Sequence, residues 1–457
     1  MLKTEKLVED LLTIIPDTKR VTTNETILEH HSKGITYHEP HLPDVVVFPE
    51  NKEEVQQIVQ YAHENEVPIV PFGVGSCMEG QVIPVNGGIS IDFIQMNNII
   101  EVRPDDFIVK VQPGVTRQQL NKHLKKYGLF FPVDPGADAT IGGMAATNAS
   151  GTNAVKYGIM RDNVLGLEVV LADGKVIKTG GTYFKSSAGY DLTGLMVGSE
   201  GTLGVFTEIT LRLYGIPEVI MAAKANFPSI EAAGKAAESI LKSGIPVSRM
   251  ELVDEKTIEA VNEYKQTNYK IAPTLFFEFV GSQGAVNDDV ELAKEVTAME
   301  GCVSFEFETD SIARAQLWEA RHDAAFAIVD RKKGKLLIST DVCVPISELT
   351  NAIVDTRRAV EKYGIYAAIL GHVGDGNYHA ACAVDPNDPD EMKRMKLMNE
   401  EIIEFALAHG GTCTGEHGIG VGKIQFLKQQ HGYGVEVMKM IKSTLDPKGI
   451  LNPGKIF

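Results

Sequence analysis

Two short stretches hold the residue types that do chemistry. In GHVGDGNYH, residues 371–379, His372 and His379 stand on either side of a turn-forming cluster, and in TGEHGIG, residues 414–420, Glu416 and His417 sit side by side between glycines. Imidazole nitrogens and a carboxylate suit a divalent ion, and three protein ligands with an open position is the pattern of a catalytic rather than a structural metal site. Asp375-Gly376 is a dipeptide favoured at the centre of a two-residue type I′ turn, and the apolar runs YAAILGHV and YHAACAV flank it. With that pair central, His372 and His379 face each other across a hairpin, their Cβ atoms about 5 Å apart. His372, His379 and Glu416 are thus candidate ligands. His417 is then to spare. Zn²⁺, Mn²⁺ and Fe²⁺ all accept this donor set. For either stretch alone the plainer reading is a surface pair of histidines or an ordinary Glu-His turn.

The elements around these stretches fall into two regions. From Asp44 to about Leu213, short apolar runs (DVVVFP, VPIVP, ISIDF, FIVKVQPG, FTEITLRLY) alternate with glycine-rich loops and one amphipathic helix, KEEVQQIVQYAHENE. Beyond Pro217, helical patterns that stop at glycine (EAAGKAAESILKSG, SIARAQLWEARHDAAFAIVDRKKG, SELTNAIVDTRRAVEKYG, MKLMNEEIIEFALAHGG) alternate with strands such as TLFFEFVG and LLISTDVCVP. Both regions read as α+β. At 457 residues the chain exceeds the size at which one core stops growing.

Three loops of the first region are rich in small residues. PFGVGSCMEG, residues 71–80, follows a strand, and its glycines allow backbone N–H groups to converge on a pyrophosphate. Its spacing is not the G-x-G-x-x-G of a nicotinamide-binding turn. In residues 133–158, 17 of 26 are Gly, Ala, Thr, Ser or Asn, a composition that can wrap an extended ligand. GSEGTLGVFTEITL is the third. One such loop is ordinarily a structural turn; three in one region point to a large phosphate-bearing cofactor.

Composition bounds the partners. Lys and Arg number 44 against 61 for Asp and Glu, a net charge of −17 with no basic run, which makes nucleic acid and anionic membrane surfaces poor partners. The five cysteines, Cys77, Cys302, Cys343, Cys382 and Cys413, form no CxxC pair, which suggests reduced thiols in a cytoplasmic protein. MLKTEKLVEDLLTIIP reads as an amphipathic helix rather than a targeting segment. No apolar run reaches the roughly 18 residues of a membrane span, so an integral membrane protein is not expected.

In this order PFGVGSCMEG, ATIGGMAATNASG and GSEGTLGVFTEITL resemble the flavin-binding half of the vanillyl-alcohol oxidase superfamily, in which FAD lies between two α+β subdomains. The resemblance implies cofactor contacts at Pro71, Gly73, Val74, Gly75, Ser76 and Cys77, at Pro135, Thr140, Gly142, Gly143, Thr147, Ser150 and Gly151, and at Glu200, Gly204 and Val205. Some members attach the flavin to a histidine of the first loop; this loop has none, which implies non-covalent FAD.

GHVGDGNYH paired with GEHGIG is similar to the C-terminal half of the FAD-linked 2-hydroxyacid dehydrogenases, the group that includes D-lactate and D-2-hydroxyglutarate dehydrogenases and the flavin subunit of glycolate oxidase. WEARHDA (318–324) and STDVCVPIS (339–347) resemble the D-lactate branch most. The ending LDPKGILNPGKIF matches a tail that in the family returns to the flavin domain, with Asn452 among the cofactor contacts. The resemblance places the metal ligands, Zn or Mn with Fe as a further option, on His372, His379 and Glu416. It puts the base on His417 and the grip on the substrate carboxylate on Arg321. Where 2-hydroxyglutarate enzymes carry a lysine for a distal carboxylate, this chain has Ser339.

The expected organisation is an FAD-binding domain over residues 1–216, a substrate and metal cap with an antiparallel sheet over 217–425, and a segment 426–457 packing back on the flavin domain. The implied reaction is oxidation of a small D-2-hydroxy acid, D-lactate first. Electrons pass to a separate acceptor, whether quinone, cytochrome, electron-transfer flavoprotein or iron–sulfur subunit, and peripheral attachment to a membrane through that partner or a homodimer is compatible with this. Alternatives are a glycolate oxidase flavin subunit, a D-2-hydroxyglutarate dehydrogenase, a catalytically silent subunit of a larger complex and, from another class, a metal-dependent hydrolase.

Overall fold

Seven buried apolar residues, Val45–Val47, Ile69–Val70, Ile89 and Ile91, make the hydrophobic heart of a small sheet in the first part of the chain. The computed structural model describes residues 4–457, without the side chains of Ala320 and His322; the first three residues of the N-terminal amphipathic segment lie outside it. The chain forms two units: Met1–Ser150, Gly158–Ile216 and His417–Phe457 make the first, Gly151–Tyr157 and Pro217–Glu416 the second.

In the first unit, strands Val45–Val47, Ile89–Asp92 and Ile69–Phe72 run parallel in that spatial order, with Val21–Thr22 antiparallel at one edge. Buried on both faces, such strands read as unbroken apolar runs. Helix Lys52–Asn65 makes the crossover from Val45–Val47 to Ile69–Phe72; Asn51 caps it by accepting the Glu54 N–H at 3.0 Å. The next crossover, to Ile89–Asp92, contains no helix: the glycine loop after Phe72 is itself the connection. A second, five-stranded antiparallel sheet, built on Val205–Arg212 between Ile108–Val111 and Val164–Val170, carries a separate core that includes Leu120, Ile141, Met144, Val169 and Ile209. The C-terminal tail joins the parallel sheet, where Ile69 N–H donates to Ile450 O and Asn452 N–H to Ile69 O, each at 2.7 Å.

The second unit is an eight-stranded sheet, antiparallel at every pairing. Strands Arg249–Val253, Ala367–Gly371 and Asn377–Val384 lie side by side within it. The helical pattern expected over 311–334 is broken at Asp323 into Ser311–His322 and Ala324–Asp330, with the Asp323 carboxylate drawn to Lys265. Helices Glu255–Lys265 and Gln283–Met299 were not expected from pattern; both are rich in charged and Asn residues, which blurs their apolar stripe.

Two boundaries differ from expectation. The chain re-enters the first unit at His417 rather than after residue 425, because the Glu200 carboxylate captures the N–H groups of Ile419 and Gly420 at 2.7 and 2.8 Å. Gly151–Tyr157, inside the second small-residue run, goes with the second unit, where Arg249 Nε donates to Asn153 Oδ1 at 2.9 Å. Among the described residues no helix is long and apolar enough to cross a membrane.

Candidate active site

The histidine hairpin forms, but with a different turn. Strands Ala367–Gly371 and Asn377–Val384 pair so that His379 lies opposite Leu370, not His372. The expected two-residue turn is therefore replaced by a four-residue turn over 373–376, with positive φ at Gly376 alone (+85°) and the Asp375 N–H on His372 O at 3.3 Å. A type I′ turn needs positive φ at both central residues, and Asp375 does not adopt it. His372 falls just beyond its strand, diagonal to His379 on the same face. Their rings still meet edge to face, centroids 5.8 Å apart.

Each ring is aimed by its δ nitrogen. His372 Nδ1 bonds the buried Glu251 carboxylate at 2.6 Å, and His379 Nδ1 bonds Thr340 O at 2.9 Å. Donation through Nδ1–H leaves the Nε2 lone pairs for a ligand, the arrangement by which outer partners fix metal-binding histidines. Both Nε2 atoms point at one oxygen, Glu416 Oε1, at 3.5 and 3.3 Å. The ligand atoms of His372, His379 and Glu416 all lie within 4.8 Å of one another, as a shared ion requires.

Charge favours a cation here. Burial opposes a proton on His372, yet the Glu251 and Glu416 carboxylates outweigh it and hold its pKa well above the usual 6.5. Burial likewise pushes Glu416 up, but His372 and His379 hold it well below the carboxylate range. Buried Asp341 and Glu251 add two more acids, with Arg321 as a counter-cation; its NH2 meets Glu251 Oε2 at 2.5 Å. A metal ion would take the place of that extra proton, so the donor set fits one.

Sequence reasoning missed Glu251, Thr340 and Asp341. Asp341 anchors the approach to Glu416: its carboxylate accepts from Thr414 Oγ1 (2.6 Å), Gly415 N (2.9 Å), Glu416 N (3.0 Å) and Asn377 Nδ2 (2.8 Å). Asp341 lay in view in STDVCVPIS, but nothing local links it to a loop more than seventy residues on. Glu251 lies on strand Arg249–Val253, whose pairing with Ala367–Gly371 brings it to His372. Ser339 turns its hydroxyl onto Thr340 O at 3.1 Å.

In the first unit the expected cofactor residues divide into two groups. Among the described residues, none supplies an acceptor for the backbone N–H groups of Gly73, Val74, Gly75 and Ser76. This turn lies against the second small-residue run: a Cβ on Gly73 would stand 2.3 Å from Thr140 Oγ1. Four consecutive N–H groups beside exposed Gly143 and half-buried Pro71, Pro135, Gly142 and Thr147 fit a phosphate-bearing ligand. Thr140 and Ser150 are buried at the edge of this run, and Gly151 goes with the second unit.

The other expected residues are committed to the protein. The Glu200 carboxylate holds Ile419 and Gly420, and Asn452 Nδ2 donates to Gln81 O and Glu200 O at 2.9 and 2.7 Å. Val205 is a buried strand residue opposite Val170, and Gly204 lies where a Cβ would meet Val169 at 2.3 Å. Burial pushes the Cys77 thiol up to about 11, so it is no nucleophile. His417, first residue of the returning segment, is held through its carbonyl by Gln81 Nε2 at 2.7 Å.

N–H groups without a protein acceptor in one unit suit a phosphate-bearing cofactor and the histidine–carboxylate cluster in the other suits a metal ion, and similarity to known proteins gives the class. Residues 43–180 match the family described as FAD binding domain and residues 216–456 that described as FAD linked oxidases, C-terminal domain. The chain belongs to the FAD linked oxidases and is an FAD-dependent oxidoreductase. It is 45% identical over 456 residues to the probable mitochondrial D-lactate dehydrogenase of Danio rerio, covering 99% of this chain and 92% of that one. It is 37% identical over 421 residues to the glycolate oxidase subunit GlcD of Bacillus subtilis, covering 91% and 89%. Among solved structures, 4-ethylphenol oxidase from Gulosibacter chungangensis shares the fold, with a TM-score of 0.80 at 18% identity over 100% of this chain and 97% of that one. The fold is thus the α+β vanillyl-alcohol oxidase type with an antiparallel cap. Membership in an FAD family leaves the hydrolase reading without support.

Proposed function

We propose that the protein oxidises a small D-2-hydroxy acid, D-lactate in preference, to the 2-oxo acid, with FAD and one divalent ion. The observation that carries this reading is the convergence of His372 Nε2, His379 Nε2 and a Glu416 oxygen within 4.8 Å. When bound, FAD supplies the acceptor for two electrons and the C2 hydrogen. A Zn²⁺ or Mn²⁺ ion at the triad, with Fe²⁺ as a further option, supplies Lewis acidity toward the hydroxyl of a 2-hydroxy acid.

The chain's own residues do the rest. Arg321, tied through Glu251 to His372, offers a planar fork for the substrate carboxylate. His417, next in the chain after Glu416, takes the hydroxyl proton on its ring. Gly73, Val74, Gly75 and Ser76 hold phosphate through backbone N–H groups, and the absence of histidine from this loop supports non-covalent FAD. Ser339 in place of a lysine argues against a second substrate carboxylate. The names of the relatives support lactate first and glycolate second.

Electrons leave to a separate acceptor: the chain carries no haem-attachment or cysteine-cluster motif of its own. The five free cysteines suit a reducing compartment, whether the cytosol or the mitochondrion that the name of the Danio rerio relative indicates. Anaerobic bleaching of the flavin by D-lactate, L-lactate, glycolate, D-2-hydroxyglutarate and D-2-hydroxybutyrate tests the reading. D-lactate is expected to bleach fastest and D-2-hydroxyglutarate poorly; no bleaching by any of the five would sink the substrate class.

A further inference from the structure

The side chain of Glu200 is spent within the protein. Its backbone takes φ +51°, a left-handed value uncommon for a residue with a side chain, and the carboxylate is buried. Both oxygens are spent on the loop that carries His417: Oε1 accepts the Ile419 N–H at 2.7 Å and Oε2 the Gly420 N–H at 2.8 Å. On the other side of the histidine, Gln81 Nε2 donates to His417 O at 2.7 Å. Gly418, between these anchors, sits so close that a Cβ there would stand 2.5 Å from Glu200 Oε1 and 2.7 Å from Gln81 Nε2. Asn452 closes the arrangement from behind, its amide on the carbonyls of both Gln81 and Glu200.

We infer that Glu200 and Gln81 are positioning residues for His417, acting through the backbone of residues 417–420 rather than on FAD. The inference rests on the reading of His417 as the base. A charged acceptor of two N–H groups is stronger than a neutral one, and an unpaired buried carboxylate is costly, so the loop holds the chain to this path. Burial pushes the Glu200 pKa up to about 7, a cost that the paired N–H groups partly offset. A base displaced by about 1 Å can lose on the order of 10²-fold in rate. The carboxylate therefore fixes where the imidazole begins through the backbone N–H groups of Ile419 and Gly420.

The test is anaerobic single-turnover reduction of holoenzyme by D-lactate, expressed per bound flavin, for Glu200→Gln, Gln81→Ala, His417→Asn and the two combinations with His417→Asn. Gln at 200 keeps one acceptor and turns a donor toward the second N–H. The limiting reduction rate is expected to fall about 10–100-fold in Glu200→Gln and less in Gln81→Ala, with KM for D-lactate unchanged. On the residual rate of His417→Asn, neither added change is expected to cost anything further. A purely structural role would lower flavin content or melting temperature and leave the rate per bound flavin alone. That outcome in both single variants, or an equal loss on the His417→Asn background, would overturn the inference. His417→Asn reducing flavin at the wild-type rate would instead bring down the base reading and the inference together. Gln81→Ala keeps the question answerable should Glu200→Gln fail to fold.

Discussion

At Gly73–Ser76 the first unit offers backbone N–H groups and glycines without side chains, whereas at His372, His379 and Glu416 the second offers side-chain donors, the rings aimed by the Glu251 carboxylate and the Thr340 carbonyl. The first site depends on how closely two stretches of backbone approach. The second depends on charge, with Glu251 and Thr340 orienting the rings and Asp341 holding the chain that leads to Glu416. Substitutions should therefore act on the first through steric clash and on the second through unpaired charge or lost orientation.

The largest expected effect is at His417. His417→Ala should bind FAD normally yet slow flavin reduction by about 10²–10⁴-fold, read by stopped-flow absorbance. Next is Glu251→Ala, which strips His372 and Arg321 of their shared buried partner. Metal affinity should fall about 10–100-fold, and loss of the buried pair should cost about 3–5 kcal/mol in a denaturant titration. A variant that keeps full metal content and stability would separate Glu251 from the cluster.

The opposite kind of break is Gly73→Ala. Its Cβ would stand 2.3 Å from Thr140 Oγ1, and overpacking of this sort costs about 1–3 kcal/mol. The purified protein should be short of flavin yet retain its metal, as elemental analysis would show. Loss of both together would mean the two sites do not fail independently.

The smallest effect is a pH trend confined to the second site. His372 holds a proton well above 6.5 when only carboxylates surround it, and a ligand must shed that proton. Apparent metal affinity should thus rise with pH until His372 has lost its proton, and metal-free protein should lose the stability from this pair over the same rise. The sign follows from a raised folded pKa: the stabilisation is complete below the unfolded value and disappears as pH climbs through the folded one. A flat titration of affinity against pH would contradict this.

Local grammar made much of this legible. The cores, the glycine-stopped helices and the candidate trio His372, His379 and Glu416 carry period or composition signals in the sequence itself. The turn at residues 373–376 was less legible, because Asp-Gly marks a reversal without setting its length; the register came from the pairing of Leu370 with His379. Glu251, Thr340 and Asp341 had no local signal at all, since each meets its partner across strands or loops distant in the chain. Glu200 shows the converse limit. A motif made it a candidate cofactor contact, but the destination of its carboxylate was visible only once residues 417–420 had folded back onto it.

If His372, His379 and Glu416 hold the ion that flavin reduction needs, removing that ion alone should stop reduction. Holoenzyme is stripped of metal with its FAD retained, then mixed anaerobically with D-lactate in a stopped-flow spectrophotometer, before and after adding back one equivalent of Zn²⁺ or Mn²⁺. Bleaching should be nearly lost on stripping and restored by a single ion per chain. Stripped enzyme that bleaches as fast as the reconstituted enzyme would contradict it.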